Sequence, residues 1–428
     1  MHPAALAIVH LHLQIRVWIG VVLINVGAFC DVATNKENGR WAVEAMRETE
    51  RDDGSENVSG PGRMAFKLWS LDEETLYEHV FERYMQLEAQ CRELPQDLGI
   101  QDRSSGVLEL AIEPLGVDSS RKKRRVRRRN RADVPKDDWG VAVDSYHVRV
   151  EQSISSLHSS RDNDNSTTGY VVWSTTPFFI NWLLYSASAA PFRLGTQVEV
   201  VHGSSCEGHM LDLPKLINLS GTDRSKRGIL ELGAGISGIL PVVLGNFVDV
   251  YVSTDQKGIL NKLKHNTMEN LSQLTRRQCV SRTLRLELPP PTTSSETTTS
   301  ELPSKPTLDL EVAALDWEKI NLQDEKTHSL HPELSLLGQT SSSVYVIAMD
   351  VIYNEYLIDP FLKTLQQLKH CFQSTYNLKF HAIVGLHLRS QEVTTLFLEK
   401  AVIEHGLAVY DIVDQAIQES RFNFYLIT

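Results

Sequence analysis

The stretch ILELGAGISGILPVV, residues 229 to 243, passes from an apolar strand through a glycine-rich turn into an apolar helix. In a doubly wound sheet the ligand lies beyond the carboxyl ends of the strands, and the first strand-to-helix turn is rich in glycine so that backbone can approach it closely. Gly233 and Gly235 fill that role. With Gly238 they also satisfy G-x-G-x-x-G, so the glycines alone leave more than one nucleotide-like cofactor open.

The surrounding chain supports the same architecture. Apolar strand candidates at 228–233, 248–255, 310–317, 344–350 and 380–388 alternate with helical segments, the pattern of a parallel sheet covered on both faces. VYDIVDQ (409–415) and FNFYLIT (422–428) lie close enough to form a hairpin, which predicts an antiparallel edge at the C-terminus. Upstream, MAFKLWSLDEETLYEHVFERYMQL opens at Met64 with helical periodicity and an acidic first turn, and VLELAIEP and VAVDSYHVRVEQSI read as short strands. The expected fold is α/β and Rossmann-like, mostly parallel, with an antiparallel C-terminal edge and a small N-terminal α+β element. The expected organisation is an extension over 1–63, the α+β element over 64–168, and a cofactor-binding domain over 169–428 carrying a low-complexity insertion at about 289–307.

With 428 residues and 42% apolar content the chain can bury a sizeable core. Its five cysteines are scattered and show no C-x-x-C spacing, which argues against a disulfide framework and a zinc site and fits a reducing compartment. LAIVHLHLQIRVWIGVVLINVGAFC near the N-terminus is apolar, but His10, His12, Gln14 and Arg16 interrupt it. The clean run after Arg16 falls short of the ~20 residues a spanning helix needs, so no stable membrane association is expected. Net charge is −11, yet RKKRRVRRRNR (121–131) holds nine basic residues in eleven; removing them leaves −20 for the rest. That run suits loose contact with RNA or an acidic partner, or is simply a solvated loop, and it lacks the interleaved aromatics that stack on single strands.

Around the turn, more residues carry chemistry. Asp255 ends the next strand, 17 residues after Gly238, where a carboxylate can accept from both ribose hydroxyls of NAD or S-adenosylmethionine alike. Glu231, two residues before Gly233, would favour a cationic amino-acid tail. Asp316-Trp317 closes the third strand: the indole can stack on adenine or pack in the core, and the carboxylate can accept adenine's exocyclic amine. The fourth strand ends in Asp350-Val351-Ile352-Tyr353-Asn354. Asp350 can accept the hydrogens of an amine and stabilise its developing charge, or cap the helix that follows. Tyr353 would face the same cleft if the chain has begun to turn helically, offering a π face to an alkylammonium. Phe178, Phe179 and Trp182 read as packing residues.

ELGAGISG, the D-x-x-Y of Asp350 and Tyr353, and the upstream VVWSTTPFFINWLL together resemble methyltransferase family 16 of the seven-strand class. The likeness runs from Met64 to Thr428 and includes VSTDQKGILNKLK and VIAMDVIYNEYLIDPFLKTLQQLKH; residues 1–63 have no counterpart in it. The resemblance implies a seven-strand sheet, S-adenosyl-L-methionine as cofactor, and cytoplasmic protein-lysine N-methylation, with nuclear access, of a large-subunit (60S) ribosomal protein. Carried over position by position, it makes Trp173, Gly233, Ala234, Gly235, Asp255, Trp317 and Met349 cofactor contacts, and Asp350 and Tyr353 the catalytic pair.

Two rivals stand beside it. An NAD-dependent oxidoreductase would share the glycine pattern, although no catalytic His, Lys or Tyr-x-x-x-Lys arrangement accompanies it. A non-catalytic ribosome- or RNA-binding protein could keep the fold; intact Glu231, Asp255 and Asp350 speak against that.

Overall fold

The computed structural model describes residues 65–91, 94, 98–114, 142, 144–154, 168–203, 208–219, 223–288, 305–322 and 331–428. The extension over 1–63, the basic run 121–131 and the insertion over 289–304 lie outside the described residues.

The chain opens with β1 (Lys67–Leu71), α1 (Thr75–Ala89), β2 (Val107–Ile112), β3 (Tyr146–Glu151), α2 (Thr175–Tyr185) and α3 (Ala190–Leu194). It continues through β4 (Gln197–His202), β5 (His209–Asp212), β6 (Arg227–Leu232), α4 (Ile239–Leu244), β7 (Val250–Asp255), α5 (Leu260–Glu269), β8 (Gln278–Val280) and β9 (Thr307–Ala314). It closes with α6 (Pro332–Thr340), β10 (Ser343–Met349), α7 (Glu355–His370), β11 (Phe380–His387), α8 (Gln391–Glu399), β12 (Val409–Val413), α9 (Gln415–Gln418) and β13 (Phe422–Ile427).

One sheet orders its strands β5-β4-β1-β12-β13-β11-β10-β6-β7-β9-β8. Its middle, from β11 through β10, β6 and β7 to β9, is parallel throughout. The expected C-terminal hairpin forms: β12 pairs antiparallel with β13, and β13 antiparallel with β11. The sheet then exceeds the expected seven strands, because β1 pairs antiparallel with β12, β4 and β5 continue outward from β1, and β8 flanks β9, giving eleven.

Alternation along each central strand separates two apolar layers. Ile229, Tyr345, Ile347 and Met349 join one cluster with residues of α2, α4 and α5, while Leu230, Leu232, Val344, Val346 and Ala348 join the other with residues of α1, α6, α7 and α8. All six residues of β6 are buried, which is why that strand reads as a continuous apolar run interrupted only by Arg227 and Glu231. Phe178, Phe179 and Trp182 are packing residues as expected: their rings lie against Phe422 and Phe424 of β13.

The division at residue 168 does not separate two bodies, since Arg63–Thr428 forms one compact unit. Part of the reason is β1, a member of the main sheet. Another part is the β2–β3 hairpin, which is tied to α5 and the turn after it by amides: Asn266 Oδ1 accepts from Glu151 N at 3.0 Å, and Asn270 Oδ1 from Arg149 N at 2.9 Å. The same two side chains donate back to the carbonyls of Glu151 and Arg149.

Candidate functional site

At the carboxyl ends of β6, β7 and β10 the chain leaves the sheet in irregular turns that surround a cleft of about 910 Å³, open solvent at its mouth included. All ten residues that the sequence proposes for cofactor and catalysis line it: Trp173, Glu231, Gly233, Ala234, Gly235, Asp255, Trp317, Met349, Asp350 and Tyr353.

The glycine turn is shaped for close approach. Gly233 and Gly235 take φ of 67° and 59°, the left-handed region that side chains rarely adopt. A Cβ on Gly233 would also stand 2.6 Å from Val351 Cγ1 and 3.3 Å from the Trp317 ring, inside the cleft wall. The turn is clamped from β7: Asp255 Oδ2 accepts from Gly235 N at 2.7 Å, and Oδ1 from Gln256 N at 2.6 Å. Burial pushes the Asp255 carboxyl up to about 6, against the pull of those two amides.

Glu231 lies deeper, 4% exposed, where its Oε2 accepts from Ser253 Oγ at 2.8 Å and Tyr251 Oη at 3.0 Å. Burial pushes this carboxyl up to about 7; the two hydroxyls oppose the shift, and the nearby Asp255 charge adds to it. A buried and a half-buried acid therefore face one cleft, an arrangement that a cationic or hydrogen-bond-donating ligand would stabilise in the ionised form.

Trp317 lies beyond the end of β9, in the turn after Ala314, rather than closing the strand itself. One side of it meets Phe361 of α7 edge-on, with centroids 5.2 Å apart, so it both packs and lines the cleft. Asp316 lines the cleft too, but its oxygens already accept from Glu318 N at 3.1 Å and pair with Lys319 Nζ at 2.6 Å.

At the far end, Asp350 follows β10 with φ of 61°. Asp tolerates this region better than most residues, yet such a conformation still costs on the order of 1–3 kcal/mol and persists only where its surroundings impose it. Asp350 N donates to Gly385 O at 2.7 Å, and the flanking Val351 and Ile352 are buried. Helix capping is not its role: α7 begins at Glu355, and Asn354 is the N-cap, accepting from Tyr356 N at 3.0 Å. Tyr353 consequently precedes the helix, contrary to the expected helical turn, but it still reaches the cleft and is 36% exposed.

Arg389 is the neighbour of Asp350 that the sequence does not single out. It follows β11 and forks onto Asp350: Nη1 donates to Oδ1 at 2.8 Å and Nη2 to Oδ2. Its guanidinium also lies over the Trp173 ring, 4.7 Å from the centroid, while Nε donates to Leu98 O at 2.7 Å. No spacing in the sequence links residues 98, 173, 350 and 389; a basic residue directly after a core strand is the only local signal.

Among the described residues no group of three or more His, Cys, Asp or Glu is placed to hold a metal ion, and no helix is long and apolar enough to cross a membrane.

No family model matches the chain. Ribosomal lysine N-methyltransferase 5 of Saccharomyces cerevisiae strain AWRI796 is 78% identical over 367 residues, which cover 85% of this chain and 100% of that protein. The chain belongs to the ribosomal lysine N-methyltransferase 5 family. The namesake from strain ATCC 204508 / S288c matches over the same span at 77% identity. A solved human methyltransferase 10 domain containing protein aligns at 14% identity over 49% of this chain and 72% of that one, with a TM-score of 0.26, too loose a likeness to argue from. As a member of this family the chain is a methyltransferase, and neither the oxidoreductase nor the non-catalytic alternative is favoured.

Proposed function

We propose that this chain transfers the methyl group of S-adenosyl-L-methionine to the side-chain amine of a lysine in a large-subunit ribosomal protein. The observation that carries this reading is the convergence of the glycine turn, the acids Glu231 and Asp255 and the Asp350–Tyr353 end in one cleft of a chain 78% identical to ribosomal lysine N-methyltransferases.

The cleft fits the cofactor. The left-handed glycines leave backbone exposed where a Cβ would block it, Asp255 keeps carboxylate lone pairs for ribose hydroxyls, and Trp317 offers a ring to adenine. Glu231 suits the ammonium of the amino-acid tail, and Trp173 and Met349 add apolar wall. When bound, the cofactor supplies a methyl group on a cationic sulfonium. The chain's own residues must then present a neutral nitrogen in line with that methyl, so positioning and exclusion of water account for most of the catalysis. A free lysine titrates near 10.4, so the acceptor end must favour the unprotonated amine. Asp350 receives a hydrogen of that amine, and Tyr353 lays its ring beside the alkyl chain.

The reading carries with it a cytoplasmic location. Its test is incubation of the full chain with labelled S-adenosylmethionine and ribosomal proteins from cells lacking the enzyme, followed by mass spectrometry of the labelled peptide. Label on a lysine of a large-subunit protein is expected; label elsewhere, or none, would sink the assignment.

A further inference from the structure

Arg389 joins three segments at the acceptor end of the cleft. Asp350 takes both arms of its guanidinium, Trp173 covers its face, and the Leu98 carbonyl holds its Nε edge. The loop carrying Leu98 is itself fixed, because Gly99 O accepts from Ser174 N at 2.8 Å and Ser174 Oγ at 2.9 Å, and Ile100 bridges to Trp173. Gly99 adopts φ of 82°, and a Cβ there would stand 2.9 Å from His387 and 3.0 Å from Arg389 Nη2. Any side chain at 99 would crowd the guanidinium.

The consequence is electrostatic. The Asp350 side chain is 1% exposed and that of Arg389 20%, so the pair is largely withdrawn from water. An ionised carboxylate offers about four acceptor sites. Oδ1 already takes Arg389 Nη1 and, more weakly, His387 N at 3.3 Å; Oδ2 takes Arg389 Nη2. Room remains for about one further donor, and the charge of Asp350 is balanced. A bare buried carboxylate would draw the ammonium form of lysine and hold its proton; a balanced one gives the ammonium little advantage while still accepting one hydrogen from a neutral amine.

We propose that Arg389 is a positioning residue for methyl transfer, which by balancing Asp350 makes the acceptor end of the cleft select the neutral amine of the target lysine over its ammonium. The amine loses its proton to water on entry. Its lone pair then forms the N–C bond as the C–S bond breaks, the released electron pair staying on sulfur, so the product is a methylated ammonium and no further proton moves in the step. This inference rests on the lysine-methylation reading above.

Other ionisable groups border the pair. Glu231, Asp255, Asp316 and Glu318 line the same cleft with Tyr353, and His387 stands at the end of β11. On the outer side of Arg389, Tyr84, Glu88, Cys91 and Arg421 line a separate groove. All of these groups are the same in the wild type and in every Arg389 variant, so a displacement between their profiles reports the Asp350–Arg389 pair.

The experiment is single-turnover methylation by the full chain at saturating cofactor from pH 6.5 to 10, comparing wild type with Arg389→Ala, Arg389→Gln and Arg389→Lys. Loss of the balancing charge should move the rising limb to higher pH by about 1 in the Ala and Gln variants, a rate deficit of about tenfold near neutrality that closes at alkaline pH. Arg389→Lys keeps the charge without the fork and should recover most of the displacement. Cofactor affinity should change less than about threefold. Should Arg389→Ala fail to fold, the Gln and Lys variants carry the comparison. A deficit of equal size at every pH would make Arg389 merely structural and overturn the inference while leaving lysine methylation standing; absence of lysine labelling by the wild type would overturn both.

Discussion

At the scale of single residues, the roles proposed for Asp350 and Asp255 differ, and a pair of substitutions separates them. Asn tolerates the left-handed backbone that Asp350 occupies, so Asp350→Asn keeps the turn but removes the charge that Arg389 balances. Turnover should fall about 100-fold or more, with cofactor affinity changing little. Asp255→Asn should do the reverse, weakening cofactor binding first, because its oxygens face the glycine turn. Calorimetry with single-turnover kinetics on both variants checks this, and normal turnover by Asp350→Asn would remove it from the chemistry. The cleft-lining residues that were legible in the sequence lie mostly in the glycine turn or at or just after the ends of strands β6, β7, β9 and β10, where local pattern and family likeness both speak; Trp173, in the turn before α2, came from the likeness alone. Arg389 was not legible, since its significance arises only when the ends of β10 and β11 lie side by side.

At the scale of elements, the parallel strands announced themselves as apolar runs, and the turn glycines marked the strand end at which the cleft opens. The outer strands did not. β4, QVEVVH, alternates exposed and buried positions over only a few residues, too short for its period to identify the partner it finds in β1. The asparagines of the α5 region were equally silent, reading as an ordinary polar helix face. Asn266 does more than hold the hairpin, since its Nδ2 also donates to Ile236 O at 2.7 Å, within the turn that follows β6. Asn270→Ala, at a position 3% exposed, should leave backbone groups of β3 without partners and cost about 1–3 kcal/mol. Hydrogen exchange should show faster exchange at Arg149 and its neighbours; unchanged protection there would mean the hairpin does not depend on the amide. Asn266→Ala should add a loss of cofactor affinity through the turn, which Asn270→Ala should not.

At the scale of the whole molecule, the compact unit Arg63–Thr428 contains every residue of the cleft, and the relatives match 85% of the chain from end to end of their own length. A chain beginning at Met64 should therefore methylate at a rate within about twofold of the full chain; loss of soluble activity on truncation would show that the extension matters. The protonation of this unit should also couple to its ligand. Glu231 and Asp255 carry carboxyls raised from ordinary values of 4.5 and 3.8 to about 7 and about 6. Because the folded state binds these protons more tightly than the unfolded chain, their contribution to stability is full below about pH 4 and is lost as pH rises toward 7, each group giving up about 1.4 kcal/mol for every step of one in pH across its own window. A cofactor that needs both groups ionised reverses the balance. Its binding should expel protons at pH 6 to 7, strengthen as pH rises through that window, and level off above pH 8. Titration calorimetry in two buffers of different ionisation enthalpy reads the proton release directly, and Glu231→Gln should abolish most of it. Affinity that stays flat from pH 5.5 to 8.5, with no buffer dependence of the heat, would show that neither acid changes its protonation on meeting the ligand and would remove both from cofactor recognition.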